Sequence, residues 1–175
     1  EKLINELPEQ YLIDKKQKLV NLYIAQAKLE AAAKLQEEKL LVTVNEIPTM
    51  LLTLMEIAIK QERYDDAEII ADIYKEMHGV FGLWKYSSYT AHFQLCINRK
   101  KRLECLKILK KMFNAINKGW NINTSPLYRH ITAKKIDQTF VQEMKNMLVT
   151  SIKSDPDCKF ITDDLEMNKI LEKYK

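Results

Sequence analysis

Apolar residues recur every three or four positions along most of the chain, which is the spacing of amphipathic α-helices. Between Pro8 and Val44 no further Gly or Pro interrupts this pattern. One long helix would fit the stretch, but we interpret it as two helices with a turn near residues 26–29. The apolar positions that define it are Leu12, Leu19, Tyr23, Ala27, Ala31 and Leu35.

The following residues have the pattern of a helical hairpin. Asn45 and Pro48 predict a break and a new start, because Asn caps helices and Pro is tolerated in a first helical turn. One helix is expected from about residue 48 to 62, and its partner should follow a short polar turn. Gly79 and Gly82 should end the partner helix, since glycine adopts the left-handed conformation without a side-chain penalty. The apolar and small positions of the two helices are Leu51, Leu54, Met55, Ala58, Ala67, Ile70, Ala71 and Tyr74.

A second hairpin follows, with helices expected from about residue 83 to 98 and from about residue 101 to 117. When the second hairpin is aligned with the first so that Cys105 matches Ala67, the spacing between the two repeats is 38 residues. The apolar positions that follow Cys105 then match those that follow Ala67. A repeat of about 34 residues with a short insertion at the glycines fits this spacing, and such periods are typical of helical solenoids. The aligned or inward positions of this hairpin are Tyr89, Phe93, Cys96, Leu109 and Met112.

After Gly119 the residue types change. Residues 119–134 carry turn formers and aromatics, which predicts a loop with a short helical turn after Pro126. An amphipathic helix should follow and end at Asp155, and a last helix is expected from about residue 162 to 174. Asp163 and Glu166 have the spacing of a capping box there. We interpret the chain as one domain with an N-terminal segment, two hairpins, a loop and a C-terminal helical pair at residues 1–47, 48–118, 119–134 and 135–175.

The composition supports this helical interpretation. Hydrophobic residues make up 46% of the 175 residues, while 3 Gly and 4 Pro are too few turn formers for an all-β sandwich. The length fits one domain. We therefore predict an all-α fold in which antiparallel helical hairpins stack as a short α-solenoid of about seven or eight helices.

The cysteines and the hydropathy of the chain predict the cellular location of the protein. The three cysteines are an odd number without metal-ligand spacing, and Cys96 and Cys105 occupy apolar positions. This pattern predicts reduced thiols and a cytoplasmic protein. No uninterrupted run of about 18 apolar residues occurs, which predicts that nothing spans a membrane. The chain begins at Glu1 without a preceding Met, so we expect it to be a piece of a longer protein.

The order of residues in the first hairpin resembles the tetratricopeptide repeat. In that family an aromatic residue and an alanine allow two antiparallel helices to pack closely, and here Tyr64 and Ala67 stand at these places. Glu62 stands where the family usually has a turn glycine, and Leu51 where it often has Trp. In the second hairpin Arg102 replaces the aromatic residue. The resemblance implies a tetratricopeptide-like stack that binds a protein or peptide.

The resemblance also implies which residues would contact a partner, because the first helix of each hairpin lines the concave face of such a stack. Polar side chains at these positions can satisfy the backbone of an extended peptide. Tetratricopeptide repeats that bind a C-terminal carboxylate usually present several Lys, Arg and Asn side chains on this face. Only Lys60 and Asn98 match these residue types here, so we do not expect such a clamp. The candidate binding residues are Glu56, Lys60, Tyr86, Thr90, Gln94 and Asn98. Tyr86 also belongs to an aromatic group with Trp84, Tyr89 and His92, for which we favour core packing over partner binding.

The tail is similar to the C-terminal end of certain Firmicute transcriptional regulators. The similarity lies in Ser-Pro-Leu-Tyr-Arg-His-Ile at residues 125–131, the apolar positions of the next helix, and the final Leu171 and Tyr174. It covers, more loosely, residues 48–175. In those regulators a lambda-repressor-like helix-turn-helix precedes a helical repeat region. The resemblance implies that this chain is the sensor or dimerisation region of such a protein, with contact to DNA only through a domain ahead of Glu1.

A run of cations marks the second hairpin. Residues 98–118 hold eight basic residues and one acidic residue, a local charge of +7 within a total of +4. Such clustering is required of a phosphate-binding patch, but at a hairpin turn and along one helical face we favour a solvated face, or a docking face for another domain, over nucleic-acid contact. The candidate patch comprises Arg99, Lys100, Lys101, Arg102, Lys107, Lys110 and Lys111, with Lys118 at its end.

Catalytic and metal-binding patterns are sparse. The three histidines are scattered, and no zinc pair, nucleophile elbow or glycine-rich phosphate loop is present. His92 and Cys96 form an i, i+4 pair of the kind a Cys–His dyad could use, although both fall near a predicted buried face. The acidic residues between Asp155 and Asp164 lack the spacing of a calcium loop. We expect no catalytic residue, no metal and no cofactor.

Together these patterns predict a non-enzymatic protein- or peptide-interaction module. Our main hypothesis is the ligand-sensing or dimerisation region of a bacterial transcriptional regulator, acting in the cytoplasm as a homodimer without membrane contact. A free-standing tetratricopeptide-like scaffold or adaptor is the alternative. Direct nucleic-acid binding through residues 99–118 is the third hypothesis.

Overall fold

The computed structural model describes residues 14–133, 136–163 and 165–173. No strand occurs among these residues, so the all-α prediction is confirmed. Three short 3-10 turns lie between helices, at Ser87–Tyr89, Ile122–Thr124 and Pro156–Cys158. The α-helices of the described residues are α1 (Lys15–Ala25), α2 (Leu29–Lys60), α3 (Tyr64–Val80), α4 (Thr90–Asn98), α5 (Arg102–Lys118), α6 (Gln138–Ser154), α7 (Lys159–Thr162) and α8 (Leu165–Lys173).

Three helix–helix turns share one backbone arrangement. Ala27, Glu62 and Lys100 each have positive φ, at 56°, 59° and 51°. In each turn the N–H of the following residue donates to the carbonyl oxygen five residues earlier, at 2.9 Å. These bonds satisfy carbonyl groups at the helix end, which offsets the cost of a left-handed non-glycine residue. The turn after α1 confirms the interpretation of the N-terminal stretch as two helices.

The break expected at Asn45 and Pro48 is wrong, because α2 continues through both residues. A proline inside a helix removes one backbone hydrogen bond and costs roughly 3 kcal/mol. On the two sides of Pro48, Val44 is buried and Leu51 packs against a buried core. Asn45 therefore lies within a helix rather than at its cap.

Only one of the two glycines predicted to end α3 does so. Gly82 has a φ of 60°, and the following Leu83 N–H donates to His78 O at 2.8 Å. Gly79 lies inside the helix, whose last residue is Val80. The helix continues past Gly79 because a single glycine weakens a helix without breaking it.

The chain divides into two compact units, and α2 contributes residues to both. The first unit contains the described residues up to Ile47 and residues 122–133. Its buried apolar residues include Val20, Ala32 and Tyr128. The predicted loop is present, but its short helical turn lies at Ile122–Thr124, ahead of Pro126.

Side-chain hydrogen bonds hold this loop in place. Asn123 Nδ2 donates to the carbonyl oxygens of Tyr128 and Ile131, at 2.7 and 2.8 Å. Glu37 accepts from the His130 backbone N–H at 2.7 Å and contacts His130 Nδ1 at 2.6 Å. The loop is therefore an ordered structure rather than a linker.

The second unit contains residues 48–121 and the described residues after 134. We call residues 48–60 of α2 with α3 the first hairpin, and α4 with α5 the second hairpin. The first hairpin has a small core of Met55, Ala58, Ala67, Ala71 and Tyr74, joined by Ala91 and Leu95. Ala58, Ala67 and Ala71 of this core are fully buried.

The second hairpin and the tail share a larger core. Cys105, Leu109, Phe113 and Ile116 of α5 are fully buried, together with Ile161 and Leu171 of the tail. The aromatic residues Trp84, Tyr86 and Tyr89 pack against this core. The predicted last helix corresponds to α8, and α7 is a further short helix ahead of it. Asp163 is the C-cap of α7, and the side chain of Glu166 lies outside the described residues.

Candidate partner-binding surface

Large apolar side chains are exposed on both helices of the first hairpin. On α2, Met50, Leu54 and Ile57 are 60%, 53% and 44% exposed, and their spacing of four and three residues puts them in one row. A second row on α3 consists of Ile69, Ile73 and Val80, of which Val80 is 74% exposed. We call these the apolar rows. Contiguous exposed apolar residues on soluble proteins mark interaction sites.

The same α2 segment also carries the predicted polar pair. Lys60 Nζ lies 2.6 Å from Glu56 Oε1, and both side chains are largely exposed. In α4, Gln94 and Asn98 are exposed, and Asn98 Nδ2 donates to Gln94 O at 3.1 Å. These four candidate residues are therefore accessible to a partner.

Tyr86 and Thr90 have structural contacts instead. The Tyr86 ring lies 5.3 Å from the Trp84 ring, and burial raises the pKa of Tyr86 above its ordinary value. Burial also raises the pKa of Tyr74, while its hydrogen bond with Thr90 acts in the opposite direction. Tyr86 also packs against the larger core, and Thr90 ties the start of α4 to α3, so both are less available than the other four.

The aromatic group extends beyond the residues that are near in sequence. Trp84 stacks on Trp120 with centroids 6.5 Å apart and lies 6.1 Å from Phe140. The Trp120 indole N–H donates to Gly82 O at 3.1 Å, which ties the loop after α5 to the turn after α3. Core packing is the role that these contacts support.

The cations of the second hairpin fall into two groups. Arg99 forms an ion pair with Glu68 and lies over the Tyr64 ring at 5.4 Å. Lys101 Nζ lies 3.4 Å from Glu104 and 3.9 Å from Glu68. The exposed face of α5 carries the second group, Lys107, Lys110, Lys111 and Lys118, while Lys100 and Arg102 are exposed at the turn.

The expectation of reduced Cys96 and Cys105 is wrong, because the structure joins them in a disulfide with Cα atoms 5.7 Å apart. They meet because the hairpin turn places the end of α4 beside the start of α5. The thiol of the proposed His92–Cys96 pair is thereby occupied. His92 Nε2 instead contacts Asp72 Oδ1 at 3.1 Å.

The remaining cysteine, Cys158, is buried and unreactive. Burial, reinforced by the carboxylates of Asp155 and Asp157, raises the pKa of Cys158 to about 12. Asp155 also caps the turn that follows, accepting from Asp157 N at 2.9 Å. Within the described residues, no cluster of His, Cys, Asp and Glu could hold a metal ion.

Helix α2 is long and apolar enough to cross a membrane by length and composition, with a mean hydropathy of 1.4 in its most apolar 18 residues. The sequence interpretation missed this because Asn45, Glu46 and Thr residues interrupt the run. Only 11% of that window is buried. Its exposed apolar side chains, among them Met50, Leu54 and Ile57, are thus available to something outside the chain.

The apolar rows were missed for a related reason. Leu54 was assigned to the inward set of its helix, but it is exposed. The spacing of Ile69 and Ile73 beside Ala67 and Ala71 was the available signal, since it gives α3 apolar residues on two faces. One apolar face is enough for a hairpin, so the second indicates another contact.

Comparisons with known protein families, with curated proteins and with solved structures found no match to this chain.

Proposed function

We propose that the chain is a non-catalytic protein- or peptide-interaction module whose partner binds the first hairpin. The observation that carries this proposal is the pair of apolar rows on α2 and α3. Exposed Ile, Leu and Met side chains cost solubility, and a partner that covers them gains about 25 cal/mol for each Å² of apolar surface buried. The recurring left-handed turns support a tetratricopeptide-like stack as the framework.

A protein partner fits this surface better than a lipid bilayer does. On α2, Met55 is 1% exposed and Ala58 is fully buried, both against residues of α3. The helix therefore already uses one face for protein packing. The Glu56–Lys60 ion pair beside the apolar row supplies polar groups at the rim, as protein interfaces usually have.

The wider proposal places this module in the cytoplasm as the sensor or dimerisation region of a bacterial transcriptional regulator. It rests on the similarity of the tail to such regulators. Sequencing the gene upstream of Glu1 tests it: a helix-turn-helix is expected there. Its absence would leave the free-standing scaffold as the function of this interaction module.

The surface itself is tested by selecting peptides from a random displayed library against the chain. The same selection is run against a variant carrying Leu54→Glu and Ile73→Glu, and against Met147→Glu, which changes an equally exposed residue on α6. Apolar peptides should be enriched by the unchanged chain and by Met147→Glu. Sedimentation velocity of the three proteins tests whether a second copy is the partner. If no peptide is enriched and the chain stays monomeric, the proposal fails.

A further inference from the structure

The disulfide between Cys96 and Cys105 closes the turn of the second hairpin. Cys96 is the third residue from the end of α4, and Cys105 is the fourth residue of α5. Between them Lys101 N–H donates to Cys96 O at 2.9 Å, so the backbone of the turn is fixed beside the sulfurs. The bond therefore joins two helix ends whose positions the turn has already set.

Only one of the two cysteines lines a cavity. A cavity of about 310 Å³ is lined by Cys96, His92, Leu95 and Arg99, among others, but not by Cys105. Its volume is at the lower end of ordinary ligand pockets, which start near 300 Å³. Cys105 is fully buried, whereas Cys96 retains 3% exposure. A small thiol reagent entering the cavity would meet Cys96 first.

Access gives the exchange a direction. The helix ends favour a thiolate on Cys105, near the N-terminus of α5, over one on Cys96, near the C-terminus of α4. The full burial of Cys105 acts against this preference, because burial disfavours the charged form of a thiol. The position of Cys96 at the cavity therefore selects its sulfur as the point of attack.

The charged side chains that line the cavity do not determine which of the two sulfurs is attacked. Arg99 and Lys101 are paired with Glu68 and Glu104, and Asp72 contacts His92. Cations and carboxylates are therefore nearly balanced there. A charge reversal among them is a useful probe, since it changes the approach of an anionic reductant without touching the sulfurs.

We infer that the Cys96–Cys105 pair is a thiol–disulfide exchange site for a small dithiol that enters through this cavity. One thiolate of the dithiol attacks the Cys96 sulfur, the bond to Cys105 breaks, and Cys105 leaves as a thiolate. The second thiolate of the reagent then displaces Cys96 and closes the reagent into its own disulfide. Two electrons pass to the protein, and each cysteine takes up one proton.

This activity goes beyond partner binding and lies on the other hairpin. It agrees with the proposed cytoplasmic location, where disulfides are usually transient and redox-sensing rather than structural. Exchange would set the stability of the second hairpin according to the thiol–disulfide balance of the cell. If no peptide is selected at the first hairpin, the inference of an exchange site is unaffected. If the disulfide does not exchange, the proposal of partner binding is likewise unaffected.

The test uses the folded full chain, oxidised with glutathione disulfide and then treated with dithiothreitol. Free thiols are counted by mass after labelling in denaturant. We expect one labelled thiol, Cys158, before reduction and three afterwards. Reduction should proceed in native buffer faster than the chain unfolds. A pair that never oxidises, or that is reduced only at the rate of global unfolding, would overturn the inference.

Two matched pairs of variants locate the site. Lys101→Glu should slow native reduction by dithiothreitol by roughly fivefold through added negative charge, while Lys107→Glu, exposed on the same helix, should not change it. On a Cys158→Ser background, glutathione disulfide should modify native Cys105→Ser at Cys96 and leave Cys96→Ser unmodified. Equal effects of the two lysine variants, or modification of Cys105 rather than Cys96, would contradict the assigned route.

Discussion

The two hairpins of the second unit use similar turns for different purposes. The first hairpin closes on alanines and leaves large apolar side chains exposed on both helices. The second buries most of its large apolar side chains, leaves Leu103 exposed at the start of α5, and exposes lysines. Because the same backbone turn supports both arrangements, the turn does not determine what a hairpin does. The distribution of its large side chains differs between the two hairpins, and on this difference rests our proposal that a partner contacts the first.

The largest expected effect is in the core of the second hairpin. Phe113 is fully buried, so Phe113→Ala should lower the free energy of unfolding by about 3–5 kcal/mol through lost burial and a new cavity. Ile73→Ala, at an exposed position of the first hairpin, should change it by less than about 0.5 kcal/mol. Urea unfolding followed by circular dichroism measures both. A similar decrease in the free energy of unfolding for the two variants would contradict the proposed difference between the two hairpins.

Reduction of the disulfide should have the next largest effect. Closing a loop of this length stabilises the folded chain by about 2–3 kcal/mol, since it restricts the unfolded ensemble. The oxidised chain should therefore melt at a higher temperature than the chain kept in dithiothreitol. The Cys96→Ala, Cys105→Ala double variant is the control and should show no redox dependence. Equal melting temperatures for the oxidised and reduced chain would argue against a stabilising bond.

The close contact of the first hairpin predicts a smaller effect. Ala71 is fully buried between α2 and α3, so Ala71→Leu should cost about 1–3 kcal/mol by overpacking. Ala31→Leu adds the same side chain at an exposed helical position and should be nearly neutral. Thermal unfolding of the two variants distinguishes them. A neutral Ala71→Leu would mean that the hairpin is not closely packed.

The smallest effect concerns pH. Burial lowers the pKa of His78 below its ordinary value of 6.5, partly opposed by its hydrogen bond to Tyr74 O at 2.8 Å. The folded chain therefore favours the neutral ring. The contribution of His78 to the free energy of unfolding is fully present above the pKa of this residue in the unfolded chain. It is lost as the pH falls through the pKa of His78 in the folded chain. His78→Gln should lose less stability than the unchanged chain between pH 7 and pH 5, measured by urea unfolding. An identical pH dependence would contradict this.

The sequence predicted the helices better than their surfaces. Helical spacing and the scarcity of glycine identified most elements, and Ala67 and Ala71 identified the close contact. Pro48 was misleading because local propensity favours a break that packing on both sides overrides. The left-handed residues Ala27, Glu62 and Lys100 have no sequence signal, since their conformation is set by hydrogen bonds between helix ends.

The candidate sites were only partly predictable, for physical reasons. Glu56, Lys60, Gln94 and Asn98 are accessible as expected, because polar residues at helical spacing seldom lie in a core. The disulfide depends on the approach of two helix ends, which spacing alone does not give. Leu54 could not be assigned to the surface from its type, since an apolar residue is usually evidence of burial.

Binding of a selected peptide is the measurement that tests the central claim most directly. A fluorescent copy of the most enriched peptide is titrated with the unchanged chain, with the Leu54→Glu, Ile73→Glu variant and with Met147→Glu, and its anisotropy is recorded. We expect the double variant to bind at least about tenfold more weakly, a loss of about 1.4 kcal/mol or more, with its free energy of unfolding unchanged. Met147→Glu should bind as the unchanged chain does. Equal affinity for all three proteins would contradict the assignment of partner binding to the first hairpin.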